Sequence, residues 1–264
     1  MPAILDQILE AKRRELERHK QDQPLATLVQ RAKETPIPLN FSGALWGPDV
    51  RLIAEVKKAS PSRGLLINDF DTARLARTYA ENGAAAVSVL TEVDHFQGSL
   101  EHMAGVKDAV RDAGLPVLRK DFIFDPYQVY EARAYGADAL LLIVAMLVPT
   151  QLKELMSVAR SVWVQTLVEV HSEEEMEVAL DAGAEVIGIN HRDLTTFGMD
   201  MSLTQRLRPL IPQGMVVVAE SGISTREDVV RMKQARVNAV LVGEALVTAP
   251  DIGAKVRELV GGVS

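Results

Sequence analysis

An α/β barrel of eight parallel strands, carrying an N-terminal helical extension, is the fold class the sequence predicts. Three observations predict it. Eight short β-rich apolar runs alternate strictly with eight segments of helical period, which calls for parallel pairing through right-handed crossovers. The runs are apolar at consecutive positions, as in LLLIVA and MVVVAE, so the strands are covered on both faces. None of them reads as a polar edge strand, and 264 residues suit a closed barrel, which takes about 250. Together these features describe a TIM (β/α)8 barrel.

The chain opens MPAILDQILEAKRRELERHK, where Ile4/Leu5, Ile8/Leu9 and Leu16 mark one face of an amphipathic helix. Asp6, Glu10, Glu15 and Glu17 offset its Lys and Arg, which favours packing on the protein over a basic membrane-surface helix. A proline-containing stretch, Glu34 to Asn40, follows. The extension is expected over residues 1–48 and the barrel over 49–264, in a single domain without an interdomain linker.

The predicted strands are Leu52–Val56, Ala86–Leu90, Val117–Leu118, Ala139–Val144, Val162–Val168, Val186–Ile189, Met215–Ala219 and Ala239–Val242. Helices are predicted over Thr72–Asn82, Leu100–Ala113, Pro126–Tyr135, Pro149–Ala159, Glu173–Ala182, Leu203–Leu207, Thr225–Ala235 and Ile252–Leu259. A weak repeat supports the barrel. YAENGAAAVSVLTE, ARAYGADALLLIVA, ALDAGAEVIGINHR and the looser MKQARVNAVLVGEA each join a helix end to an even-numbered strand. In the first three, Gly83, Gly136 and Gly183 stand where a helix favours a left-handed terminal residue; Arg236 stands there in the fourth.

Composition narrows the function. With no cysteine, a disulfide framework, a thiolate metal site and a cysteine nucleophile are excluded. A net charge of −7 with interspersed signs carries no footprint for nucleic acid. The longest apolar run, Ala139 to Val148, falls short of the roughly 18 residues of a membrane span, and no apolar signal segment opens the chain, so a soluble cytoplasmic protein is expected. The five histidines form no HExxH or H-x-H pair, and neither a G-x-G-x-x-G nor a Walker motif occurs. No metal and no cofactor are expected.

In such a barrel the productive site lies at the C-terminal ends of the strands. The first strand ends in Glu55 and Lys57, two apart and so on one side, followed by Ser60-Pro61-Ser62. The third ends in Lys120, the fifth in Glu169, the sixth in Asn190 and Arg192, the seventh in Glu220-Ser221-Gly222 and the eighth in Gly243-Glu244. Any one of these has a plainer reading: a solvated strand end, or a structural ion pair between Glu55 and Lys57. Their convergence on one mouth favours a site. Glycines after the last two strands, with a helix expected to be capped by Ser224 and Glu227, point to a phosphate cradle of backbone N–H groups.

IAEVKKASPSRG, TEVDHFQGS, VLRKDFIFDPYQV, EVHSEEEMEVALDAGAEVIGINHRDL, VAESGIS and VLVGEAL, in that order, resemble the indole-3-glycerol-phosphate synthase family of tryptophan biosynthesis. The resemblance covers nearly the whole chain. It implies a cofactor-free lyase that closes an indole ring on 1-(2-carboxyphenylamino)-1-deoxyribulose 5-phosphate, releasing CO2 and water. By motif, it implies Lys120 as general acid, Glu169 in proton transfer during dehydration, and Glu55 assisting. Lys57 would hold a substrate anion, while Asn190 and Arg192 fix its hydroxyls and charge. Phe122 would lie near the anthranilate ring, with Ser60, Phe96, Leu194 and Glu220 also contacting substrate. Ser221, Gly222, Gly243 and the N–H of Glu244 would clamp the phosphate; some relatives have Ser at position 244. The first helix resembles a segment that covers the barrel mouth. A monomer or weak homodimer is expected. A phosphoribosylanthranilate isomerase would need a Cys/Asp pair that this chain lacks, and a catalytically silent phosphosugar-binding barrel would not require Glu55, Lys57, Lys120 and Glu169 together.

Overall fold

The computed structural model describes residues 4–194 and 196–261. Eight parallel strands close on themselves: β1 (Arg51–Val56), β2 (Ala86–Leu90), β3 (Val117–Lys120), β4 (Ala139–Ile143), β5 (Gln165–Val170), β6 (Val186–Asn190), β7 (Val216–Glu220) and β8 (Ala239–Val242). β1 pairs with β2 on one side and with β8 on the other, so no barrel strand is left with a free edge. Helices α1 (Ile4–Asp22), α2 (Leu25–Glu34) and α3 (Phe41–Ala44) precede the barrel. Around it lie α4 (Thr72–Glu81), α5 (Leu100–Ala109), α6 (Pro126–Ala134), α7 (Pro149–Ser161), α8 (Glu173–Asp181), α9 (Leu203–Leu207), α10 (Arg226–Gln234), α11 (Glu244–Val247) and α12 (Ile252–Val260).

Two apolar layers follow from strand alternation. Leu52, Ala54, Val87, Leu140, Val168, Ile187 and Val217 pack outward against the helices. Ile53, Leu118, Leu141, Leu167, Val186, Val218 and Leu241 point inward and fill the barrel. The inner cluster is plugged at the strand N-termini by Phe41 and Leu45, where the Ser42 N–H donates to Gln165 at the start of β5 (3.0 Å). Ile8 of α1, flanked by Leu5 and Leu9, closes over the opposite end. Leu16, on the same face of α1, packs instead with Leu28 and Tyr127; the side chain of Ile4 lies outside the described residues.

Four sequence expectations are corrected. Val162–Val164 are not strand: β-branched and aromatic residues read as β, but here they form the closing turn of α7. Trp163 adopts φ 64°, with Trp163 N–H donating to the Arg160 carbonyl (3.0 Å) and Val164 N–H to that of Ala159 (3.0 Å). β5 starts at Gln165 and runs on to Val170, which brings Glu169 inside it. The cap of α10 is Thr225 with Asp228, not Ser224 with Glu227; the Asp228 carboxylate takes the N–H groups of Ser224 and Thr225, both at 2.9 Å. α5 stops at Ala109 rather than Ala113. Finally, the loop after β1 contains an unpredicted two-stranded ribbon, in which Ala59–Ser60 pairs antiparallel with Gly64–Leu65. Gly64 at φ 66° makes its turn.

Candidate active site

Strand alternation also delivers the ionisable groups. On five of the eight strands an inward row that holds an apolar residue reaches, two or four positions later, a polar one at the mouth. Ile53 leads to Glu55 on β1, Leu118 to Lys120 on β3, Leu167 to Glu169 on β5, Val186 to Asn190 on β6 and Val218 to Glu220 on β7. Register sets them level, with Ile143 opposite Glu169 and Asn190 opposite Glu220. Glycines clear the space between them. A Cβ at Gly188 would collide with the Glu220 carboxylate, and one at Gly243 with that of Glu55.

Lys120 sits between two carboxylates, its Nζ 3.4 Å from Glu169 Oε2 and 3.3 Å from Glu220 Oε2. Lys57 Nζ lies 2.6 Å from Glu55 Oε2, so the pair two apart in sequence is an ion pair at the mouth. Burial alone would lower the Lys120 pKa, but Glu220, Glu169 and Glu55 outweigh it and hold the ammonium protonated. The two carboxyls around it part in opposite directions. Burial would raise Glu169, yet the Lys120 ammonium, the His171 ring and the Asn190 side chain hold it well below the usual range. Burial pushes Glu220 up to about 8; Lys120 opposes that rise, and Glu169 and Glu55 add to it. At neutral pH Lys120 is therefore flanked by a proton acceptor, Glu169, and by a second proton-bearing group, Glu220.

Buried polar atoms without a hydrogen-bond partner gather here: Ser60 Oγ, Glu169 Oε2 and both oxygens of Glu220. A polar ligand entering from the mouth would meet them, which is the ordinary reason for such groups to persist unpaired.

Two adjoining clefts contain every residue singled out from the sequence. The first is floored by Glu55, Lys57, Lys120, Glu169 and Asn190, and its apolar side is Leu5, Ile8, Phe96, Phe122 and Leu194. Phe96 and Phe122 stack obliquely, ring centroids 6.4 Å apart. Ser60 and Arg192 also line it. The second cleft is bounded by Glu220, Ser221, Gly222, Gly243 and Glu244. Ser221 and Gly222 are both left-handed, φ 68° and 74°; at position 222 a side chain would also strike Met199 and Met201. The Ser221 carbonyl accepts from His191 Nδ1 at 2.9 Å, which anchors the turn. The Glu244 carboxylate turns away to pair with Arg63 of the first loop at 3.0 Å.

Sequence reading alone missed four contributors. Gly188 and Arg63 carried no motif signal of their own; His171 lies two residues past Glu169 in the EVHSEEE stretch, where i+2 spacing could have drawn notice. Asp121 is the fourth. It anchors the strand end beside Lys120 by accepting from Lys12 (2.8 Å), Thr91 (2.5 Å) and Arg119 (3.0 Å). Among the described residues no group of His, Asp and Glu could hold a metal ion, and no helix is long and apolar enough to cross a membrane.

Fold and mouth together define a TIM-barrel enzyme equipped for acid–base chemistry. The family model for indole-3-glycerol phosphate synthase matches residues 5–259. The chain belongs to the indole-3-glycerol phosphate synthase family, whose members are carboxy-lyases. It is 54% identical over 269 residues to the indole-3-glycerol phosphate synthase of Roseiflexus sp. RS-1, covering 99% of this chain and 100% of that one. It is 52% identical over 257 residues to that of Dehalococcoides mccartyi, covering 97% and 99%. Among solved structures, the thiamine phosphate pyrophosphorylase of Pyrococcus furiosus superposes with a TM-score of 0.63 at 18% identity over 83% of this chain and 96% of that one, a likeness of fold.

Proposed function

We propose that this chain converts 1-(2-carboxyphenylamino)-1-deoxyribulose 5-phosphate into indole-3-glycerol phosphate, CO2 and water. The observation that carries the reading is Lys120 held protonated between Glu169 and Glu220, on a floor bounded by an aromatic wall on one side and a glycine-rich turn on the other. The anthranilate ring lies along Phe96, Phe122 and Leu194 below α1, the ribulose over the ionisable floor, and the phosphate at Ser221, Gly222, Gly243 and the Glu244 N–H. Because Asp228 occupies the N–H groups of Ser224 and Thr225, the phosphate donors come from the Ser221–Gly222 turn and the start of α11.

Lys120 gives its proton to the ribulose carbonyl oxygen as the carboxyl-bearing ring carbon bonds to the carbonyl carbon. Loss of CO2 restores aromaticity in the benzene ring. The new hydroxyl then leaves as water: a proton-bearing group at the floor protonates it, and Glu169 takes the proton that the ring system gives up. Glu55 orients Lys57, which holds a substrate anion, and Asn190 and Arg192 hold the sugar hydroxyls. Ser60 contacts the substrate from the first loop, and Glu220 is the neutral carboxyl beside the carbonyl. The reading includes a cytoplasmic location, since a charged phosphosugar does not cross a bilayer unaided, and a monomer suffices because one chain supplies the whole mouth.

Purified protein given this substrate and no cofactor is expected to generate indole absorbance and fluorescence. No indole product under those conditions would sink the assignment.

A further inference from the structure

We propose that His171, held in place by Glu175, is a positioning residue that keeps the Glu169 carboxylate ionised and fixed at the barrel mouth. The inference rests on the reading of Glu169 as a proton acceptor.

His171 is the first residue after β5, and its half-buried ring stands beside Glu169, lining neither cleft. Nε2 lies 3.4 Å from Glu169 Oε1, and Nδ1 lies 3.1 Å from Glu175 Oε2. Carboxylate oxygens stand at both ring nitrogens, that of Glu175 within hydrogen-bond distance and that of Glu169 as an ion-pair contact; a neutral imidazole carries one N–H, and only the imidazolium is a cation to both. Glu175 is itself held. Its Oε2 accepts the His171 backbone N–H at 2.7 Å, and its own N–H donates to Ser172 Oγ, the cap of α8, at 3.2 Å. The ring is thus clamped between the end of β5 and the first turn of α8.

Glu169 is bracketed by two cations, His171 on Oε1 and Lys120 from β3 on Oε2, with Asn190 from β6 as a further hydrogen-bond partner. Lys120 is shared with Glu220 of β7 and feels Glu55 of β1. Its proton is also the one the reaction consumes. His171 has no such competing duty: its second carboxylate, Glu175, sits on the far side of the ring. When Lys120 turns to the substrate oxygen, His171 is the cation that stays with Glu169. Burial would lower the His171 pKa, but Glu169 and Glu175 raise it to about 10, so the ring keeps its charge across the working range.

The test is the pH profile of kcat for His171→Asn and Glu175→Gln, with Glu169→Gln alongside. Loss of the imidazolium leaves Glu169 easier to protonate, so the acid limb should move to higher pH by about one unit in His171→Asn, and by less in Glu175→Gln. At a given pH on the acid limb turnover should fall roughly tenfold, and at about pH 8.5 it should lie within about twofold of the parent, with KM nearly unchanged. An equal loss at every pH, or an unmoved acid limb in both variants, overturns the proposal. Should His171→Asn fail to fold, an unmoved limb in Glu175→Gln overturns it alone. Glu169→Gln separates the two ideas. If it turns over like the parent, the assignment of Glu169 falls; if it is inactive while the His171→Asn profile is unmoved, only the role of His171 falls.

Discussion

Lys120 is half-buried, with the buried side chains of Glu220, Glu169 and Glu55 in its field, an arrangement that stability alone would disfavour. Buried ion pairs roughly break even against apolar residues of the same volume, so a cluster of this kind is retained for chemistry. Lys120→Ala should lower turnover by at least about a hundredfold, the scale expected for losing a general acid, as read by indole fluorescence under saturating substrate. An unchanged rate would remove Lys120 from the mechanism. Gly188 acts at the same scale by absence. An alanine there would push its methyl into the Glu220 carboxyl and to 3.3 Å from Leu167, displacing the partner of Lys120. Gly188→Ala is expected to cut kcat by about tenfold or more with far-UV circular dichroism unchanged. Retained kcat would mean that the carboxyl relocates without consequence.

At the scale of elements, one turn recurs. After α4, α6, α7, α8 and α10 the chain closes with the same pair of hydrogen bonds around a left-handed residue, which is Gly83, Gly136, Trp163, Gly183 and Arg236 in turn. Glycine advertises this turn because it has no steric objection to positive φ, and those three helix ends are readable in the sequence. Arg236 was readable only by alignment with the repeat. Trp163 gave no signal, and the strand boundary there was misplaced. The extension is tied down by a second device. Lys12 of α1 is buried and donates to Asp121 at 2.8 Å and Glu15 at 2.9 Å, one residue from Lys120. Lys12→Met leaves the buried Asp121 with its Arg119, Thr91 and Phe122 N–H partners but without its second cation. It should destabilise the fold by about 3 kcal/mol in urea denaturation and raise KM by loosening α1 over the mouth. No change in either quantity would show that α1 is held by its apolar face alone.

For the whole molecule, the displaced pKa values predict how stability varies with pH. Asp121 is held down to about 2, burial being outweighed by Lys12 and Arg119, so its contribution is complete above about pH 4 and lost as pH falls toward 2. His171 is raised to about 10, so its contribution is complete below about pH 6.5 and lost as pH rises through 10. Glu220, raised to about 8, contributes below about pH 4 and loses that contribution as pH rises through 8. Urea midpoints should therefore peak on the acid side of neutrality and fall toward both pH 3 and pH 9. Glu220→Gln should flatten the decline between about pH 5 and 8, and an unaltered slope would contradict the placement of its proton.

The sequence by itself determined the barrel, its strand order and the candidate mouth residues, because strand alternation and helix periodicity are local properties and the motifs sit at strand ends. Glu55, Lys57, Lys120, Glu169, Asn190 and Glu220 could all be named from it. What only the tertiary structure decided is how they are matched: Lys57 to Glu55, Lys120 to Glu169 and Glu220 together, Glu244 to Arg63, and His171 to Glu169. It also decided that the Glu169 and Glu220 carboxyls are displaced in opposite directions. Those outcomes depend on distances of a few ångströms between residues brought together by barrel closure, and on the burial that closure creates, and neither quantity is written in a local stretch of chain.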